Sequence, residues 1–597
     1  MLVLIKGAGD LATGIAYRLF RCGYEILMTD IAVPTAVRRT VSFSRAIYEG
    51  KAVVEGVEAI YCGRINTEAT NGEACKNTEL PVGEACKNAE ISIDEVCKNT
   101  EISLDEVCKS TDISAGEVCK KIEECIASGK IAVIVDPEAA VRKYFKPDVI
   151  IDAIIAKKNL GTRITDAPLV IGVGPGFTAG VDCHCVIETK RGHYLGKVIY
   201  SGSAIPNTGV PGDIGGFTTE RIIRATADGV FIPVKQIGDR VDAGDVVANV
   251  EHGIGDSEIP VYSNISGIIR GLLQEGVSVS SGMKCGDVDP RCDQEHCYTI
   301  SDKARAIGGG ALEAISRFEH RRNSTGIVLL AAGEGKRYGS NKLLEEINGK
   351  RMFENAVDAA FRAISHIKGY ASRNYFTASD SITTSYHVIP DHVTTTDQFS
   401  IPDQVCVPGL VIVTGYDEIA EYASHRGFTV VRNDRPELGI SESLKIGLAG
   451  ALNVGTTSGF YKNVDKEVNK EAYNYITQKK NPDNIIFSVC DQPGLTDESF
   501  SRLINGYAAS DKGLACMARQ TAEEKTSAAQ QTAEGKASAA IIKDQLGNPC
   551  IFSKKYFSEL MQLTGDTGGK RVIMAHREDL QVVYASESEL ADIDYPQ

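Results

Sequence analysis

Runs of apolar residues that end on glycine loops recur along the chain. In "LVLIKGAGDLATGIAYRLFRCGYEILMTD" the pattern predicts a buried strand, a tight glycine turn, an amphipathic helix and a second strand ending at Asp30. "DVIIDAIIAKKN" reads as another buried strand followed by a polar turn. From Ala167 onward, glycines and alternating apolar positions predict short strands joined by tight turns. Within that section "IGDRVDAGDVVANV" (237–250) and "EGVSVSSGMKCGDV" (275–288) repeat one Gly-x-x-Val-x-x-Gly hairpin pattern. Two later segments return to the first rhythm. "TGIVLLAAGEGKRYGSNKLL" predicts a strand, a glycine loop and a following helix, and "NIIFSVCDQPGLT" predicts a strand ending at Asp491.

A chain of 597 residues exceeds what one hydrophobic core serves. The expected class is α/β multidomain. Its parts are a Rossmann-like domain over 1–165, a β-rich, barrel-sandwich-like domain over 166–322 and an α/β nucleotidyltransferase domain of GT-A-like type over 325–597. The first of these carries an insertion at 66–125. There Cys75, Cys86, Cys97, Cys108 and Cys119 recur every 11 residues. With no CxxC pair or nearby histidine, the insertion is read as a duplicated surface segment and not as a metal ladder. A net charge of −15 argues against nucleic acid as a partner. No apolar stretch approaches the length of a membrane span. The expected location is cytoplasmic, with the 17 cysteines reduced.

Three groups of residues outside the repeat carry chemistry. Gly7 and Gly9 shape a turn that lets backbone approach a phosphate, Ala12 is the small residue that lets helix and strand pack, and Asp30 stands where a ribose is held. Two readings stay open: a dinucleotide site, or a Rossmann-like turn kept for packing. In "DCHC", strand alternation pairs Cys183 with Cys185 and Asp182 with His184, the latter pair being the better site candidate. Cys285, Asp287, Asp289, Cys292, His296 and Cys297 form a mixed group that could hold a metal, although its spacing fits no standard zinc pattern.

The loop after residue 329 is the strongest signal. Leu330, Ala331, Ala332, Gly333 and Gly335 form a nucleotide-binding turn whose amides face phosphates, and Arg337 and Lys342 bring positive charge. It lacks the Gly-Lys-Ser/Thr ending of a Walker loop and suits nucleotidyl transfer better than hydrolysis. Asp491 supplies the carboxylate for Mg²⁺, and Asp566, before paired glycines, assists at a metal or a phosphate.

These motifs carry two resemblances. "GAGDLATG", "VRRTVSFSRAIYEG", "GVGPGFTAGVDCHCVIETKRGHYLG" and "NTGVPGDIGGFTTERIIRA" resemble the YqeB family, accessory proteins of selenium-dependent molybdenum hydroxylase systems. "LAAGEGKRYGSNKLL", "RPELGISESLKIGL", "CDQPGLT", "GNPCIF" and "GDTGGKRVI", in that order, resemble the MocA/MobA-type molybdopterin nucleotidyltransferases, with insertions near 366–405, 454–481 and 520–540. The second resemblance implies Mg²⁺ on Asp491, CTP and molybdopterin as substrates, and CTP preference from Ala332. It also marks Cys490 as a departure, because a glycine is usual before the aspartate and a larger side chain there would crowd the metal. Together the resemblances imply molybdenum cofactor maturation, with a client hydroxylase as partner. Two other readings remain at this point: a non-catalytic cofactor chaperone, and an NAD-type dehydrogenase fused to another nucleotidyltransferase.

Overall fold

The computed structural model describes residues 1–65, 114–209, 212–251, 258–333, 341–347, 349–367, 409–452, 481–519 and 546–593. The repeat cysteines Cys75, Cys86, Cys97 and Cys108, the loop residues Gly335 and Arg337, and nearly all of the three expected insertions lie outside them. The chain divides into two compact units, Met1–Ser316 and Arg317–Gln597.

The first unit is built on a nine-stranded sheet. Its order is Val198–Ile199, Cys185–Ile187, Leu169–Val173, Val149–Asp152, Leu2–Lys6, Glu25–Asp30, Ile131–Val135, Val57–Arg64, Lys51–Val54. The inner pairings are parallel and only the two edge strands run antiparallel. Such central strands are covered on both faces, which is why Val3, Ile5, Ile131–Val135 and Leu169–Ile171 read as unbroken apolar runs and are buried. The boundary expected at 165 is corrected: residues 169–199 extend the sheet of the first domain. A local strand signal cannot tell which sheet a strand will join.

The second part of this unit holds two four-stranded antiparallel sheets. One is ordered Ile222–Arg224, Lys284–Asp289, Gly267–Leu272, Arg240–Val241; the other Glu258–Tyr262, Val246–Glu251, Gly229–Pro233, Ser278–Val279. Each copy of the hairpin pattern gives its short strand to one sheet and its long strand to the other. Arg240–Val241 and Lys284–Asp289 share a sheet, as do Val246–Glu251 and Ser278–Val279. The turning glycines Gly244 and Gly282 both adopt positive φ, 93° and 80°, which is the physical reason for the repeated glycine. Phe231, Val250, Ile269 and Leu272 lie in the common core.

The second unit has a mixed seven-stranded sheet ordered Thr429–Arg432, Leu410–Thr414, Thr325–Leu330, Asn484–Val489, Leu546–Ser553, Leu514–Arg519, Leu580–Ala585. Helices Met352–Ile367 and Asp497–Ala509 cover one face through Phe353, Phe361, Phe500 and Leu503. Helix Ile440–Ala451 covers the other, with Leu444 and Leu448. A Cβ on Gly447 would fall 2.4 Å from Val328 Cγ1, so this helix lies closer to the sheet than any side chain would permit. Among the described residues no helix is long and apolar enough to cross a membrane.

Candidate active site

In the second unit the chain leaves strand Thr325–Leu330 toward one edge of the sheet and returns to its other side at Asn484–Val489. A parallel sheet opens a crevice beyond the carboxyl ends of its strands at such a reversal. These two strands are parallel neighbours with Leu330 opposite Val489. The register brings Ala331–Gly333 and Cys490–Asp491, far apart in sequence, to the same edge.

The loop is pinned from behind. Ala331 N–H donates to Val413 O at 2.8 Å, Thr414 Oγ1–H to Ala331 O at 3.0 Å and Tyr416 O–H to Gly333 O at 3.2 Å. Ala331 and Ala332 are buried, whereas Gly333 is exposed and a Cβ there would meet open space. Packing among the described residues therefore does not require a glycine here.

Asn341 caps a short turn, Lys342–Leu344, by accepting from Leu343 N–H at 3.2 Å. That turn carries Lys342 to Asp491: Nζ lies 2.7 Å from Oδ2 and 3.2 Å from Ile593 O. The other carboxylate oxygen, Asp491 Oδ1, is buried and has no hydrogen-bond partner among the described residues. A carboxylate paired through one oxygen and open at the other fits a divalent cation. Among the described residues no cluster of three or more metal-ligating side chains occurs. One carboxylate with phosphate oxygens completing the shell is the Mg²⁺ pattern, not that of a protein-caged metal.

Cys490 does not crowd this point. It is 1% exposed, packed in the core with Leu343 and Met352, and burial pushes its thiol pKa up. Asp566 stands exposed beside Gly439 and is not among the residues lining the neighbouring cavity. That cavity, about 390 Å³, opens under Leu330 and Ser488 and presents Gln492, Arg519, Asn548 and Lys570. Gln492 Nε2–H donates to Asp592 Oδ1 at 2.8 Å, while its Oε1 is buried and unpartnered. Arg519 and Asp592 escaped the sequence reading because no glycine turn or fixed spacing marks them, whereas Lys570 directly follows the paired glycines Gly568 and Gly569.

The first unit also reverses its strand order beside its first strand, with a different interior. The reversal lies between Leu2–Lys6 and Val149–Asp152. There Lys6 Nζ donates to Thr162 Oγ1 at 2.6 Å and sits 3.4 Å from Asp152, while Thr162 Oγ1–H donates to Asp152 Oδ2 at 2.6 Å. Gly7, at φ 94°, packs where a Cβ would come within 2.9 Å of Ala153 O, whereas a Cβ on Gly9 would meet nothing. Asp30 accepts Ala8 N–H at 2.9 Å and Ile31 N–H at 2.8 Å, which ties the loop to the strand end. Burial raises its pKa against those two bonds.

The "DCHC" pair is structural. Asp182 accepts from Thr178 N–H and Asn159 Nδ2, and His184 Nδ1 accepts from Val170 N–H at 2.9 Å. Burial lowers the His184 pKa to about 4, so the ring is neutral. Cys183 and Cys185 are buried. Asp287 and Asp289, from the mixed group that could hold a metal, are paired with arginines: Arg221 and Arg270 on Asp287, Arg270 and Arg291 on Asp289.

Residues 327–580 match the MobA-like NTP transferase domain family. Over 320 residues, 54% of its length, the chain is 42% identical to the uncharacterized protein YqeB of Escherichia coli (strain K12) and spans 48% of that protein. The chain thus spans about half the length of the curated relative it matches. Among solved structures, a mycobacterial Rv0371c homolog from Mycobacterium sp. strain JC1 is 19% identical, covering 46% of this chain and 92% of its own, with TM-score 0.26. A 4-diphosphocytidyl-2C-methyl-D-erythritol synthase from Anaerococcus prevotii is 12% identical, with coverages of 46% and 92% and TM-score 0.25. The chain is a YqeB relative over half its length and carries a MobA-like NTP transferase domain at residues 327–580.

Proposed function

We propose that the second unit is a CTP:molybdopterin cytidylyltransferase and that the first is a YqeB-like accessory half serving selenium-dependent molybdenum hydroxylases. The observation that carries the catalytic reading is the Lys342–Asp491 pair, 2.7 Å apart with Asp491 Oδ1 unpartnered among the described residues, beside the Ala331–Gly333 loop. Ala332 supports CTP over GTP through the resemblance to MocA-type enzymes.

The terminal phosphate oxygen of molybdopterin attacks the α-phosphorus of CTP, and pyrophosphate leaves. No enzyme nucleophile is needed. The residues' work is to hold both phosphates in line and to stabilise charge on the transferred and leaving groups. Gly333 leaves room for the nucleotide phosphates. Lys342, released from Asp491, turns to the leaving group, and Arg337 adds charge from the same loop. The 390 Å³ cavity, with Asn548, Arg519 and Lys570, is the place for the acceptor. Bound Mg²⁺, held by Asp491, supplies Lewis-acid charge at the phosphates. The setting is cytoplasmic, and the accessory half contacts a client hydroxylase.

The test is pyrophosphate release by the full chain with molybdenum-loaded molybdopterin, Mg²⁺ and either CTP or GTP, repeated with Asp491→Ala. CTP-dependent release that falls by about 10²-fold or more in the variant supports the assignment. Release with GTP alone would move the specificity to the guanylyl type, and no release with either would leave a cofactor-binding scaffold.

A further inference from the structure

The first unit holds a cavity of about 350 Å³ lined by Arg38, Arg270, Arg291, His296, Ser301 and Arg305. Arg38 is 7% exposed and Arg270 9%. Arginines are rarely buried to this degree without full pairing. Arg38 Nη2–H donates to the carbonyls of His296, at 2.9 Å, and Thr299, at 3.2 Å, and Nη1 comes only within 3.7 Å of Asp10. Arg270 lies 2.6 Å from Asp287 and 3.3 Å from Asp289. Nε of both guanidiniums is buried with no partner, as is Nε of Arg221 behind them.

Arg38, Arg221, Arg270 and Arg291 gather around three carboxylates, Asp10, Asp287 and Asp289. At the rim Arg305 is matched by Glu55, and Asp302 by Arg191. Glu295 adds one further negative charge. The lining of the cavity itself has four arginines, Arg38, Arg270, Arg291 and Arg305, against two carboxylates, Glu295 and Asp302. Burial pulls the Arg38 pKa down, which is the cost of holding a guanidinium in a desolvated place. Helix Asp302–Asn323 begins at the cavity wall and adds the positive end of its dipole.

We infer that this cavity binds the phosphate monoester group of a small molecule, with Arg38, Arg270 and Arg291 as its cationic cradle. Forked guanidinium donors match phosphate oxygens, and three of them around one cavity offer more donors than a single carboxylate can accept from. The volume exceeds what inorganic phosphate fills, so the group arrives on a larger body.

Calorimetric titration of the full chain with inorganic phosphate, glycerol 3-phosphate and acetate, at matched ionic strength, tests this. Saturable binding of both phosphates, tighter for glycerol 3-phosphate and at least about tenfold weaker in Arg291→Gln, is the expected result. Arg291 is half-exposed, so this variant is the decisive one should Arg38→Met fail to fold. Lys555→Ala, an exposed lysine altered in the other unit, is expected to bind as the parent does. Absence of phosphate binding in the parent, equal binding of acetate, an unchanged affinity in Arg291→Gln, or loss in Lys555→Ala each overturns the assignment.

Discussion

The chain contains two glycine loops at two reversals of strand order, and only one keeps polar groups in reserve. At the first, Lys6, Asp152 and Thr162 satisfy one another, Asp30 is spent on Ala8 and Ile31, and Gly7 is needed because Ala153 leaves no room for a side chain. At the second, Asp491 has a buried oxygen with no partner among the described residues, and Gly333 faces open space. The same supersecondary unit is closed by its own contacts in one place and left open for a ligand in the other. A glycine that packing requires and a glycine that packing does not require look alike in sequence, and substitution separates them.

The largest expected effect is at the open loop. Lys342→Ala should lower nucleotidyl transfer by about 10²-fold or more while leaving the fold intact, measured as pyrophosphate release alongside a thermal melt. Lys342→Arg should recover only part of this, because a forked guanidinium does not replace a compact ammonium at a phosphate. Equal activity in Lys342→Ala would remove the functional half of the comparison.

Next come the two glycines. Gly7→Ala should cost about 3 kcal/mol of stability in the first unit, from positive φ and the clash with Ala153, with no change in nucleotidyl transfer. Gly333→Ala should stay within about 0.5 kcal/mol of the parent in stability yet weaken nucleotide binding by about tenfold, read as KM for CTP. Reversal of these two outcomes would mean the loops' roles have been exchanged.

A third effect belongs to the closed unit alone. An unfolded histidine titrates near 6.5, whereas His184 titrates at about 4 when folded. As the pH falls, the unfolded chain therefore takes up this proton first. The contribution is fully present above about pH 6.5 and is lost between there and pH 4, amounting to roughly 3 kcal/mol. Denaturant melts of the parent and His184→Gln across this range should converge toward acid. The smallest effect is at Gly9→Ala, whose Cβ meets nothing, and it should lie within about 0.5 kcal/mol of the parent.

Much of this was legible in the residues. Strands Leu2–Lys6, Thr325–Leu330 and Asn484–Val489 were readable because a buried parallel strand must be apolar throughout, and their ends because glycine or aspartate follows. Leu330, Ala331, Ala332, Gly333, Lys342 and Asp491 were nameable for the same local reason. The boundary near 165 was not, since membership of a sheet is a matter of long-range pairing. The pairing of Asp287 and Asp289 with Arg221 and Arg270 was not legible either, because those arginines come from distant parts of the chain.

The sequence by itself determined the local alternation of strand, glycine turn and helix, the repeated hairpin of 237–250 and 275–288, and the chemistry of the loop after residue 329. Those follow from steric and hydrophobic preferences that act within a few residues. Only the tertiary structure decided which polar groups meet. Register across Thr325–Leu330 and Asn484–Val489 brings Lys342 to Asp491, and two packed sheets bring Arg38, Arg270 and Arg291 around one cavity. Whether a carboxylate or a guanidinium is satisfied depends on neighbours from distant parts of the chain, and desolvation makes the difference between a sealed turn and an open site.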